Sequence, residues 1–305
     1  MSDLDEAPTQ VGGALHDLEL DSVFTRSWVV AGPLDRLANA GDHLVCRVAH
    51  VPILLTRARD GALHGFVNVC RHRAYPVATE DGCRQLLQCA YHAWTYELDG
   101  CLNRAPRAEA EPGFDKADFS LVRVAVDTWG PLVWVNPDPA AAPLRETHPE
   151  LDSLASEHGI DLADLTFRSR SSSVVSEEWK RCIEDTSERY HAPDGPSGFA
   201  GHDGVLARFD AASSGGRRSL LVWPASLVVV DDEVVIVDTI TPDVPGTCRR
   251  QTQVFARDGV SADDAASRAA ALADPAGGAM TPPDERDVAR FQRLAWERFR
   301  VAPRR

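Results

Sequence analysis

Two cysteines and two histidines arrive as pairs. Cys70-x-His72 is followed, after 16 residues, by Cys89-x-x-His92. Two thiols and two imidazoles at such short internal spacing can bind metal in two ways. They can close a tetrahedral site around one zinc ion. They can instead hold a two-iron, two-sulfide cluster, with both Cys on one iron and both His on the other. Both pairs fall in turn contexts between short strand-like segments, where side chains are free to converge. The remaining cysteines, Cys46, Cys83, Cys101, Cys182 and Cys248, have no comparable partner spacing and read as small core or surface residues.

A second group is Glu184, Asp185, Glu188 and His191. At about 100° per residue, Glu184, Glu188 and His191 fall on one face of a helix. Like charges four residues apart cost an isolated helix a few tenths of a kcal/mol, so this segment alone reads as a solvated acidic face. Near the C-terminus, Asp284 heads the stripe Val288, Phe291, Ala295, Phe299, and Asp287 lies beside it. After Pro282-Pro283 these acids equally suit the positive end of a helix dipole. His16, His43, His50, His64, His148 and His158 lack partner spacing and read as surface residues. No GxGxxG or Walker-type loop is present.

The elements that must position these groups read as follows. A helix is expected over Leu15–Ser27 and a strand over Trp28–Ala31. Strands at His43–Val48, Pro52–Arg57 and Leu63–Cys70 are separated by turn signals, Asp60-Gly61 among them, with further turns at Asp81-Gly82 and Asp99-Gly100. Leu121–Val126 and Pro131–Val135 form another strand pair, and the Pro/Ala segment Pro137–Pro143 marks a boundary. Beyond it come a helix over Ser176–His191, stopped by Pro193, and a long hairpin of Leu220–Val230 and Glu233–Ile240. Thr247–Arg257 adds a third strand, Ser261–Gly278 a helix with a loop, and Pro283–Phe299 a closing helix. The fold class is α+β, with a β-rich domain at 28–140 beside a second domain made of 1–27 and 141–305.

Of the 305 residues, 46 are Asp or Glu and 32 are Lys or Arg, a formal net charge of −14. That balance argues against nonspecific nucleic-acid binding, which needs cations against phosphates. No apolar run reaches the roughly 18–20 residues that span a bilayer, and Met1–Pro8 has no basic region leading into an apolar core. The expectation is a cytoplasmic protein without a membrane or nucleic-acid partner. Seven cysteines, an odd number, do not read as a disulfide scaffold.

Cys-Arg-His-Arg-Ala-Tyr-Pro at 70–76 and Cys-Ala-Tyr-His-Ala-Trp-Thr-Tyr-Glu-Leu-Asp-Gly at 89–100 closely resemble the Rieske motif of the ring-hydroxylating, non-haem iron oxygenase α subunits. The resemblance implies a β-rich cluster domain beside a helix-grip catalytic domain, a two-iron, two-sulfide cluster on Cys70, His72, Cys89 and His92, and a mononuclear Fe(II). Respiratory-chain Rieske proteins carry two further Cys for a disulfide. Here those places are Tyr75 and Tyr91, so the oxygenase branch is implied. Trp179-Lys180-x-x-x-Glu184-Asp185-x-x-Glu188-x-Tyr190-His191 is similar to the helix that opens the iron site of that family. The resemblance makes His191 the first iron ligand and Glu188 the bridge to a cluster histidine of a neighbouring subunit. Asp185 stands where Asn is usual.

The family's second His falls at Pro196, or at Gly195 if one residue is deleted. Three alternatives stay open: His202 on a longer loop, Asp194 or water as substitute, or a degenerate site. The carboxylate ligand is implied at Asp284, with Asp287 as runner-up. The family's activity would be reductive activation of O2 to hydroxylate or demethylate a small organic substrate. Electrons would come from a ferredoxin or flavin reductase, in a homotrimer whose clusters feed neighbouring irons. Glu rather than Asp at 188 leans toward quaternary ammonium and other non-arene substrates. An acidic ferredoxin would need a basic patch, for which Arg71, Arg73 and Arg84 are candidates. The competing classes are an electron-transfer or regulatory Rieske protein and a zinc-binding module.

Overall fold

The computed structural model describes residues 13–157, 160–183, 197–200, 205–210, 218–230 and 232–273. They divide into two units. One is Val30–Ala141, and the other is formed by the described residues on either side of it in sequence.

In the first unit a seven-stranded sheet, antiparallel from β10 to β5, has the order β1-β10-β9-β4-β3-β2-β5. Its strands are β1 (Val29–Pro33), β2 (Asp42–Val48), β3 (Val51–Arg57), β4 (Leu63–Val67), β5 (Gly82–Cys83), β9 (Arg123–Trp129) and β10 (Leu132–Asn136). A smaller sheet is built from β6 (Leu87–Gln88), β7 (Thr95–Tyr96) and β8 (Leu102–Arg104). The expected turn at Asp60-Gly61 forms: Asp60 Oδ1 accepts the Ala62 N–H at 2.9 Å, and Gly61 takes φ +84°. The same device closes β7 to β8, where Asp99 Oδ1 accepts the Cys101 N–H at 2.9 Å. That bond is the main reason the Asp99 carboxyl is held below the usual range. Leu54, Phe66, Leu87, Trp94, Tyr96 and Leu98 form one apolar core with Cys70 and Cys89, so the two thiols sit where water is excluded.

Sequence reading ran Leu63–Cys70 as one strand. The strand ends at Val67, and the Asn68 side chain starts a loop. Asn68 Oδ1 accepts from Val77 N and Ala78 N at 3.0 and 3.1 Å, and Nδ2 donates to Ala78 O at 2.7 Å. An amide that satisfies both ends of a returning backbone competes directly with the ladder.

In the second unit, α1 (Gly13–Ser22) precedes a 3-10 turn at Phe24–Arg26, where one continuous helix was expected. Two short helices, α2 (Leu144–Thr147) and α3 (Leu151–Glu157), lead to an antiparallel sheet of order β11-β17-β16-β15-β14-β13-β12. These strands are β11 (Leu165–Val175), β12 (Ser197–Ala200), β13 (Val205–Asp210), β14 (Arg218–Val222), β15 (Ser226–Val230), β16 (Val234–Pro242) and β17 (Cys248–Arg257). A helix, α4, begins at 179 and is described through 183; α5 spans Ala262–Ala273. The expected strand Leu220–Val230 is in fact two, β14 and β15, paired with each other as Val222↔Ser226. Pro224 lies in the turn, where it has no N–H to give a ladder. All of β15 and β16 is buried, which fits their near-continuous Val/Ile/Leu runs.

Candidate metal centre

The two Cys/His segments fold into two loops with the same backbone. In the first, Ala74 N donates to Cys70 O at 3.0 Å and Cys70 N donates to Tyr75 O at 2.8 Å. In the second, Ala93 N donates to Cys89 O at 3.1 Å and Cys89 N donates to Trp94 O at 2.9 Å. Ala74 and Ala93 both take positive φ, +54° and +58°. That region costs a non-glycine residue about 1–2 kcal/mol, and finding it twice, at matching positions, shows that the loop shape is over-determined by its surroundings.

The loops bring the four predicted ligands together. The Cys89 and Cys70 thiols are neighbours that influence one another's protonation, and both are buried. The His72 and His92 rings lie 4.5 Å apart between centroids, at 74°. Nδ1 of His72 is buried and has no hydrogen-bond partner, which leaves a nitrogen lone pair or proton unsatisfied in the interior. Burial, followed by the neighbouring His92 and Arg73, lowers the His72 pKa and keeps the imidazole neutral, the form a metal requires. Burial raises the Cys89 thiol, while the nearby backbone amides of Tyr91 and His92 pull it the other way.

The donors come as one thiol pair and one imidazole pair, the division that two irons bridged by sulfide require. The orphaned Nδ1 and the facing thiols fit that group.

The surroundings lock the donors. Trp94 is buried and stacks on His72, with centroids 4.9 Å apart and planes 8° apart. Behind it, Phe114 and Phe119 meet the Trp94 ring edge-on at 5.9 and 5.6 Å. The Tyr96 hydroxyl lies 3.3 Å from Cys70 Sγ. Tyr75 and Tyr91 do meet, at 5.6 Å, and both are exposed. Arg71, Arg73 and Arg84 are exposed as well, and Arg84 lines a groove of about 750 Å³ that also touches Tyr75, Pro76 and Ala90. Asn68, Phe114 and Phe119 were missed by sequence reasoning; an Asn closing a strand two residues before Cys70 was the available signal.

Three histidines read as surface residues, His16, His43 and His148, are buried. His16 shares the inward face of α1 with Glu19, three residues on. Glu184, Asp185, Glu188, His191, His202 and Asp284, with Asp194, Pro196 and Asp287, lie outside the described residues.

Residues 27–125 match the family model for the Rieske [2Fe-2S] domain. The carnitine monooxygenase oxygenase subunit of Escherichia coli (strain K12) is 31% identical over 183 residues, 60% of this chain and 49% of that protein. The chloroplastic choline monooxygenase of Atriplex hortensis is 31% identical over 185 residues, 59% of this chain and 42% of that one. The sequence match thus spans about half the length of these curated relatives or less. Among solved structures, the apo quaternary ammonium Rieske monooxygenase CntA superposes with a TM-score of 0.82 at 20% identity, covering 94% of this chain and 93% of that one. Naphthalene 1,2-dioxygenase from Rhodococcus sp. superposes with a TM-score of 0.72 at 16% identity, covering 94% and 81%. Residues 27–125 are thus a Rieske [2Fe-2S] domain, and the chain as a whole is similar in sequence and fold to the Rieske oxygenase α subunits.

Proposed function

We propose that this protein is the oxygenase component of a Rieske system that hydroxylates or demethylates a small organic substrate, with quaternary ammonium compounds as the favoured class. The observation that carries the reading is the pair of matching loops that offers two thiols and two imidazoles separately. Cys70 and Cys89 hold one iron of the cluster in this reading, and His72 and His92 hold the other. When bound, the cluster supplies one electron at a time at a potential raised by its neutral ligands. A mononuclear Fe(II) held by His191, His202 and Asp284 would be the place where O2 and substrate meet, in the facial two-His, one-carboxylate pattern. Glu188 would link that iron to the cluster of the next subunit in a homotrimer, and Asp185 would lie near it. A separate ferredoxin or flavin reductase would supply the electrons, with Arg71, Arg73 and Arg84 on the docking surface and the protein in the cytoplasm. No helix among the described residues is long and apolar enough to cross a membrane.

The carnitine and choline monooxygenases named above, matched at 31% identity, support the substrate class. A second reading, an electron-transfer or regulatory Rieske protein without catalytic iron, is favoured by Pro196 at the expected second His. Iron content separates them: three irons per chain, two in the cluster and one mononuclear, support the oxygenase. Two irons, with no substrate-dependent O2 uptake across a panel of quaternary ammonium compounds, would support the second reading.

A further inference from the structure

His43 is 3% exposed and lines the groove of about 750 Å³ beside the cluster loops. Its Nδ1 faces the Gly41 carbonyl at 3.4 Å. A carbonyl only accepts, so Nδ1 carries the proton and Nε2 keeps its lone pair. Nε2 has no hydrogen-bond partner among the described residues. The Cε1–Nε2 edge of the ring is open because residue 82 is glycine. Gly82 belongs to strand β5, pairs with His43 and does not take positive φ, so the backbone makes no demand for glycine there. A Cβ at that position would come within 3.1 Å of His43 Cε1 and 3.4 Å of Nε2. What the glycine supplies is access from the groove to a buried acceptor.

The walls of the groove add charge. Asp81 is committed to the fold, with its Oδ1 accepting the Val45 N–H at 2.9 Å. Glu80 and Arg84 are exposed and line the same groove, and neither forms an ion pair with the other or with another described residue. Gly82, and with it the His43 edge, falls between these two charges along the chain. The exposed Tyr75 ring also lines the groove, and an aromatic face attracts a cation. The volume lies in the range of small-molecule sites, which fix their ligands by a few polar groups of this kind. Its complement is a molecule with a cation at one end, a carboxylate at the other and a hydrogen-bond donor between them.

We propose that this groove binds a small hydroxylated amino-acid zwitterion, with Glu80 and Tyr75 on its ammonium, Arg84 on its carboxylate and His43 Nε2 accepting from its hydroxyl. None of these residues is a metal ligand, and the inference is independent of the mononuclear iron in the oxygenase reading. The groove also touches Ala90, next to Cys89, so the bound molecule sits beside the cluster loops.

The test is calorimetric titration of the full-length protein, with its cluster, by 4-amino-3-hydroxybutyrate. A dissociation constant below about 1 mM is expected. 4-Aminobutyrate lacks the hydroxyl, 1-amino-2-propanol lacks the carboxylate and 3-hydroxybutyrate lacks the ammonium; each should bind about fivefold more weakly, or worse. His43→Phe should erase the advantage of the hydroxyl and leave the affinity for 4-aminobutyrate unchanged. Arg84→Gln should likewise erase the advantage of the carboxylate. Because Arg84 is exposed, that variant keeps the test readable if His43→Phe does not accumulate. No binding up to about 10 mM, equal affinity for all four compounds, or wild-type affinities in Arg84→Gln would each overturn the proposal.

Discussion

The Tyr96 hydroxyl oxygen accepts the Arg71 N–H at 3.0 Å and sits 3.3 Å from Cys70 Sγ. A ligating Cys70 is a thiolate with no proton to give, so in the loaded site the hydroxyl is the donor to the sulfur. Burial, with the Cys70 contact next, raises the Tyr96 pKa, so the group stays a donor through the physiological range. A donor to a ligating sulfur favours the more negative, reduced cluster and thereby raises its potential. Tyr96→Phe should lower the midpoint potential by tens of millivolts, since about 60 mV corresponds to ~1.4 kcal/mol for one electron. Spectroelectrochemical titration reads the shift, and an unchanged or higher potential would sink the assignment.

The stack of Trp94 on His72 makes a separate prediction. Trp94 is 2% exposed and backed by Phe114 and Phe119, so a smaller residue leaves a cavity directly behind a donor ring. Trp94→Leu should destabilise the cluster domain by about 2–4 kcal/mol. The urea midpoint for loss of the cluster's visible absorbance should fall accordingly, and bleaching in air should be faster. Retention of the wild-type midpoint would show that the stack contributes nothing.

The cluster loops were legible in the sequence because coordination restricts residue type and spacing together. Cys70, His72, Cys89 and His92 have few other reasons to occur at those intervals, and the Asp-Gly turns announce themselves by backbone chemistry alone. What surrounds them was harder to read. β11, with the sequence LTFRSRSSSVV, has no clean alternation and is exposed along its Ser/Arg stretch, so no period separates it from a loop. Pro224 splits a Val/Leu-rich run that hydropathy alone joins. Glu19 meets Trp179 across 160 residues, a contact carried by the fold and by no local pattern. His16 and His43 show the converse error: a histidine without partner spacing was assigned to the surface although a core can accept it.

Gly100 tests the turn beneath the cluster. It takes φ +86°, and a Cβ there would come within 2.3 Å of Phe66 Cε1, a ring that is itself fully buried. Gly100→Ala therefore combines an unfavourable left-handed backbone, about 1–2 kcal/mol, with overpacking of about 1–3 kcal/mol. A loss of about 2–5 kcal/mol is expected in denaturant titration. Gly61, equally left-handed at φ +84° but with nothing within 4 Å of its Cβ direction, is the control: Gly61→Ala should show the backbone cost alone.

Acid sensitivity of the cluster follows from the thiols. Burial raises the Cys89 pKa, with the neighbouring Cys70 thiol adding to it, so an empty site holds this thiol protonated at neutral pH. The loaded site needs the thiolate. Loading therefore releases a proton at Cys89, and apparent affinity should fall about tenfold for each pH unit lost per proton released. His72 works in the opposite sense: its pKa is lowered by burial and then by His92 and Arg73. Proton competition at its ring accordingly begins only below the usual histidine value of about 6.5. Capture of iron from the holoprotein by a chelator should thus accelerate steadily as pH falls from about 8 to about 6.5, and steepen further only at lower pH. A rate independent of pH across the upper interval would show that no thiol proton is exchanged on loading.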